Sequence, residues 1–245
     1  MTYCIGLKIA EGLVFLSDTR TNAGVDHIAR YRKMFTWEVE GERAVALMTA
    51  GNLSMGQGVV TRSNRAIQVS KQTGEETILN ADSMFRVAEI VGETLQALQA
   101  RHRDELEAQG AVADASIILG GQRRGGRPRL FQVYSAGNFI EATEDTPYFQ
   151  IGEAKYGKPI LDRVITVHTA MKDALKAAFV SMDSTLRSNI SVGMPLDFAV
   201  LRGDTLKFSV RKRIEPEDAN FTEISHGWSD ALREAFLHLP EVKVD

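Results

Sequence analysis

Four residues near the start of the chain have the types and spacing that amide hydrolysis requires: Thr2, Asp18, Lys33 and Gly51. A hydroxyl holds its proton too tightly to attack a carbonyl at neutral pH. It needs a base within hydrogen-bond reach, about 2.6–3.2 Å directly or through one water. Thr2 follows directly on Met1. Once Met1 is removed, Thr2 presents a hydroxyl and a free α-amine, whose unperturbed pKa of about 7.7–8.0 lies much closer to neutrality than a lysine's roughly 10.4. Nucleophile and general base then share one residue. A threonine at position two is commonplace, so its weight depends on the groups brought to it.

Asp18 is brought by a hairpin. Residues 3–9 and 12–17 are apolar and β-rich, and Ala10-Glu11-Gly12 between them supplies a tight turn. The returning strand therefore sets residues 18–20 beside residues 2–4, where a carboxylate orients a lysine or holds the amine. The plainer reading of Asp18 is a turn residue opening a polar loop over residues 19–32. Lys33 opens the third strand and is expected on one face with Phe35 and Trp37, since strand side chains alternate. A lysine against apolar surface needs a carboxylate, and Asp18 is the candidate. Its charge beside the Thr2 amine lowers that amine's pKa and favours the basic form. The alternative is a lysine that snorkels to solvent. At Thr49-Ala50-Gly51-Asn52 a strand gives way to a helix. Backbone N–H groups there can face an oxyanion, with Gly51 allowing close approach of a substrate. The alternative is a bare strand-to-helix turn.

The elements that must position these residues follow from periodicity. Strands are expected at 3–9, 12–17, 33–38 and 44–49, then a helix capped by Asn52 to about residue 70. Met84, Ala88, Val91, Leu95 and Leu98 place a second helix from about Asp82, closing before Gly110. Strands at 115–119 and 129–135 precede helices beginning near Ala154 and spanning about 166–182. A hairpin at 196–201 and 206–210 leads to a terminal helix at about 216–239. Runs of strands alternating with helix pairs argue α+β: two antiparallel sheets packed together, a helix pair on each outer face. No linker or repeat divides the chain, so residues 1–245 are read as one domain.

The chain has 245 residues, 44% of them hydrophobic and 25% charged, with a net charge of −3. That balance gives no reason to expect nucleic acid or an anionic membrane as partner. No apolar run approaches the roughly 18 residues of a membrane span. A single cysteine, Cys4, excludes an internal disulfide and suits a reducing compartment, and its strand position makes it a small core residue. The five histidines lack metal-ligand spacing, so neither metal nor cofactor is expected. The Gly/Arg run at 120–129 lacks the Lys-Ser/Thr of a phosphate loop and reads as a hairpin loop.

Thr2, Ser17-Asp18-Thr19-Arg20, Lys33 and Ala50-Gly51, in this order and spacing, resemble the proteasome β-subunit family of N-terminal nucleophile hydrolases. The segments Gly12 to Gly24 and Lys33-Met34-Phe35 are similar to its bacterial Anbu (ancestral β-subunit) branch. The resemblance implies a four-layer αββα sandwich, cytoplasmic residence, a ring or open ring-like homo-oligomer, and threonine peptidase chemistry on peptide or unfolded protein. It leaves room for an unfoldase partner. It assigns Thr2 as nucleophile, Asp18 and Lys33 as electrostatic partners and the Gly51 N–H as oxyanion donor. The chain departs from it at Gly152-Glu153-Ala154, where the family offers a serine between glycines. The family's further Asp and Ser partners correspond only loosely to Asp183 and to Ser188 or Ser191. Two other functions fit the same residues: a self-assembling scaffold or binding module with a vestigial threonine site, and an amidase for one small amide.

Overall fold

The apolar run Leu13 to Leu16 is flanked by the residues that most need a fixed environment, and it forms the middle of the first sheet. In a computed structural model, which describes residues 1–23 and 27–244 (Asn22, Ala23 and His27 by backbone alone), β2 (Gly12–Asp18) is buried along its whole length. It pairs antiparallel with β1 (Tyr3–Ile9) on one side and β11 (Leu196–Arg202) on the other. Outside these lie β10 (Tyr148–Gly152) and β12 (Phe208–Ile214), giving the order β10-β1-β2-β11-β12. A strand covered on both faces reads as a continuous apolar run, as this one does.

The second sheet runs β5-β6-β7-β8-β9, with β5 at Met34–Val39, β6 at Arg43–Gly51, β7 at Ala115–Arg123, β8 at Arg129–Val133 and β9 at Phe139–Glu141. Alternation divides each strand between two cores. Leu13 and Phe15 of β2 meet Ala46 and Met48 of β6 and Ile118 of β7 between the sheets. Val14 and Leu16 face the helical layer of α3 (Lys158–Val164), α4 (Met171–Ser188) and α5 (Ala219–Leu237), where Phe179, Phe198 and Phe221 pack edge to face. Val45 and Leu47 face α1 (Leu53–Thr73) and α2 (Met84–Ala108). The result is the four-layer αββα sandwich, with three helices rather than two on one face.

Several boundaries move. The expected polar loop at 19–32 contains a two-stranded ribbon, β3 (Arg20–Ala23) with β4 (His27–Arg30); Gly24, quoted in the resemblance, lies outside the described residues. The helix expected from Ala154 begins at Lys158, with Pro159 in its first turn, because Gly152 still belongs to β10. The helix expected at 166–182 is displaced to Met171–Ser188, behind a turn closed by Thr169 N–H on Thr166 O. Strands β9 and β10 were not anticipated.

Candidate active site

Thr2 stands one residue ahead of β1 and is held from across the sheet. Its carbonyl accepts a hydrogen bond from Glu153 N–H at 2.7 Å, just beyond the end of β10. That approach requires glycine at 152. Its φ is +85°, and a Cβ there would stand 2.1 Å from the Thr2 oxygen. The neighbouring Tyr3 is fully buried, its hydroxyl bonded to Ser181 Oγ of α4 at 2.7 Å. Burial pushes that phenol up to about 12.

The β1–β2 register pairs Cys4 with Ser17, which sets Asp18 beside Tyr3 as the hairpin turn requires. Asp18 is completely buried. Its Oδ1 accepts from Tyr3 N–H at 3.0 Å and from Lys33 Nζ at 2.7 Å, and its Oδ2 accepts from Gly193 N–H at 3.2 Å. Burial pushes the carboxyl up, while the Lys33 ammonium and the two amides pull against that shift. Lys33 is itself only 2% exposed and spends a second proton on the Arg20 carbonyl at 2.5 Å. It sits just before β5 and reaches across to Asp18 on the other sheet, whereas Phe35 and Trp37 pack toward the α1–α2 layer. The single face expected for these three residues is therefore not formed. The snorkelling alternative is excluded by the burial.

Thr2, Thr21, Lys33, Thr49 and Gly51 line one cleft of about 210 Å³, together with Met1 and Gly152. Asp18 lies behind Lys33 rather than in the cleft wall. Gly51 ends β6 with φ +96°, and a Cβ there would stand 2.4 Å from the Asp114 carbonyl oxygen. Protein backbone alone thus demands glycine at this position. The neighbouring Asn52 N–H is already given to Asp114 O at 2.7 Å, and the Asn52 side chain caps α1 through Ser54 N–H at 3.0 Å. Of the donors expected at this junction, Asn52 N–H is therefore occupied.

Met1 carries the terminal amine. Burial lowers it below its ordinary pKa, the Lys33 charge lowers it further, and Asp18 opposes both. The amine thus senses the buried pair from one residue outside Thr2.

Glu153 is 5% exposed. Its Oε1 accepts from Ala154 and Lys155 N–H at 2.9 and 2.8 Å, and its Oε2 from Asn189 Nδ2 at 2.6 Å. Burial acts to raise this carboxyl, but the amide donors and Lys155 outweigh it and leave the group below the ordinary glutamate value. Asp183 is not brought to the cleft: it pairs with Arg187 on its own helix, and Arg187 reaches Ser225 of α5. Ser188 is exposed at the end of α4, and Ser191 bonds through its N–H to Asn189 Oδ1. The segment following α4 instead supplies Gly193 to Asp18 and Asn189 to Glu153. Neither was anticipated, because no local pattern says where a loop after a helix returns. Cys4 is completely buried, its thiol pushed up by that burial, as suits a core residue.

A sandwich of this kind, with a hydroxyl residue at the head of an inner strand and an Asp–Lys pair buried beneath it, is the N-terminal nucleophile hydrolase fold in its proteasome β-subunit form. No family model and no curated protein matches the chain. Solved structures do, over essentially its whole length. Anbu from Hyphomicrobium sp. strain MC1 is 45% identical over 99% of this chain and 100% of its own, at a TM-score of 0.91. Anbu (ancestral beta-subunit) from Yersinia bercovieri is 42% identical over 99% and 100%, also at 0.91. The helical assembly of the Anbu complex from Pseudomonas aeruginosa is 44% identical over 99% and 98%, at 0.92. The chain belongs to the Anbu family. Among the described residues, no helix is long and apolar enough to cross a membrane.

Proposed function

We propose that this chain is a threonine hydrolase of peptide or related amide bonds, active once Met1 has been removed. The observation that carries the reading is the Lys33 ammonium, buried on Asp18 at 2.7 Å and in the wall of the cleft that holds Thr2. A fixed positive charge there lowers the pKa of the Thr2 amine, so a neutral base is present near pH 7. The amine takes the proton of Thr2 Oγ directly or through water. Oγ attacks the substrate carbonyl, the oxyanion develops toward the Gly51 N–H, and the amine returns the proton to the leaving nitrogen. Water then hydrolyses the acyl ester by the same groups. Asp18 holds Lys33 and touches no reacting atom. The cytoplasmic residence that the family resemblance implies is part of this reading, and a single buried cysteine, Cys4, suits it.

The test is covalent. Protein whose mass shows loss of Met1 is incubated with an electrophile directed at N-terminal threonine. An adduct on Thr2 that is absent from Thr2→Ala is the expected result; no adduct at any pH between 6 and 9 would sink the enzyme reading. In that case a scaffold with a vestigial site is the better account. One observation favours it: Glu153, where the family offers a serine, has its oxygens occupied by Ala154, Lys155 and Asn189. An amidase would be recognised by turnover of defined small amides without turnover of peptide libraries.

A homo-oligomer, ring or open ring-like, accompanies this reading. The helical assembly of the Pseudomonas aeruginosa relative supports it. Peptide or unfolded protein is the proposed substrate, with an unfoldase as a further partner to be sought by co-purification.

A further inference from the structure

A recess larger than the Thr2 cleft, about 480 Å³, opens where the two sheets end side by side. Two edge strands form most of its walls, β5 of one sheet and β12 of the other, with β11 and Asn64 of α1 completing them. They meet at one end through Glu38, which accepts from Phe208 N–H at 2.6 Å and pairs with Arg211 at 3.5 Å. The trough beside that contact is lined by Arg32, Phe35, Trp37, Asp197, Arg211 and Arg213. β5 is hydrogen-bonded to β6 along one side; among the described residues its other side pairs with no strand. The arginines of the β12 wall already have partners, Arg211 in Glu38 and Arg213 in Asp197, so an open backbone edge beside an aromatic pair fits an extended segment with alternating apolar residues, added as a further strand.

The chain itself contains such a segment. After α5, residues 240–244 are irregular and exposed, Val242 by 84% and Val244 by 91%. Glu241-Val242-Lys243-Val244-Asp245 alternates polar with β-branched apolar residues, the period of a half-buried strand. Residues 240–244 extended cover ~16 Å, within the ~20 Å of the six-residue β5 edge. The tail does not return to its own trough. α5 starts five residues past the end of β12 and carries the chain ~28 Å away over its 19 residues. Residues 238–244 reach back at most ~25 Å fully extended, with nothing left to lie along β5.

We propose that the C-terminal segment of one copy docks as an added strand on the β5 edge of a second copy, Val242 and Val244 entering the trough between β5 and β12. This inference rests on the self-assembly proposed above and is independent of the hydrolytic reading. Cys4 is completely buried and stays in place. Full-length Thr36→Cys and Val242→Cys chains carrying different tags are mixed and treated with a short bis-maleimide, with Val164→Cys in place of Val242→Cys as the control. A mixed-tag covalent dimer, absent from the control, is the expected result. In parallel, Val242→Lys/Val244→Lys should lower the assembly mass by light scattering while leaving the thermal midpoint of the subunit unchanged. Mixed-tag dimer no stronger than the control, or an assembly mass unaltered by the lysines, overturns the proposal and leaves self-assembly standing. A parent protein that is monomeric throughout overturns both, and neither result bears on the Thr2 adduct.

Discussion

At Thr2 the proposed chemistry depends on the pKa of an amine. Burial and then the Lys33 charge hold the terminal amine of the Met1-bearing chain below its ordinary value, against the pull of Asp18. The Thr2 amine of the mature chain lies one residue further into the same cleft and feels the same charges. The reactive base is the neutral amine, so the rate is low where the amine is protonated, rises through its pKa and levels off above it. The pseudo-first-order rate of Thr2 labelling should therefore reach half its plateau below about pH 7.7–8.0; a half-maximum above that range would contradict the role given to Lys33. The pair also has a structural effect. Lys33→Met leaves the fully buried Asp18 without its cation and should cost about 3–5 kcal/mol. Asp18→Asn/Lys33→Met removes both charges and should lose less, a difference read from urea midpoints.

Among the elements, the end of β10 decides where Thr2 sits. Gly74, the C-cap of α1, and Gly152 have similar positive φ values, +74° and +85°, but different surroundings. A Cβ on Gly74 meets nothing within 4 Å, whereas one on Gly152 would press into the Thr2 carbonyl. Gly74→Ala should accordingly cost about 1 kcal/mol, the lower end of what left-handed strain imposes. Gly152→Ala should cost more and should also abolish labelling of Thr2, since the carbonyl must move. Denaturant midpoints and labelling of the two variants, measured together, separate strain from displacement. Equal destabilisation with labelling retained in both would show that β10 does not position the nucleophile.

Across the whole molecule, four carboxylates held low by cations or amides act against acid, while Asp18, raised by burial, acts the other way. Glu141 is held below its ordinary value by hydrogen bonds from Arg129, Asp162 by Lys158 and Asp218 by Lys212. Glu153 is held low by amide donors that overcome its burial. Each binds its proton less readily folded than unfolded. Its contribution is therefore complete above the unfolded values, about 3.9 for Asp and 4.3 for Glu, and is lost as pH falls through the lower folded values. Unfolding free energy from urea titrations should fall steadily between about pH 4.5 and 2.5. Glu153→Gln, which removes the most enclosed of the four carboxylates, should flatten that fall.

Much of this arrangement was legible in the residues. The turn at Ala10-Glu11-Gly12 and the apolar runs beside it determined a hairpin, and a hairpin of that length must return Asp18 to the start of the chain. Asn52 and the stripe from Met84 to Leu98 marked two helices, because capping and a 3.6-residue period are local properties. The αββα layering followed from which faces needed cover. Short or polar pieces were not legible: the β3–β4 ribbon read as loop, β9 is only three residues long, and β10 pairs with β1, far off in sequence. The residues already named Asp18 as the partner of Lys33; only the tertiary structure decided that the pair is buried, with no snorkelling lysine, and that Lys33 turns away from Phe35 and Trp37. It alone also decided that Gly193 and Asn189 close the site from behind α4, and that Glu153 holds Thr2 by its backbone. The physical reason is the same for Gly193, Asn189 and Glu153: their contacts join residues 36 to 175 positions apart, and no periodicity records which distant amide will meet a given carboxylate or carbonyl.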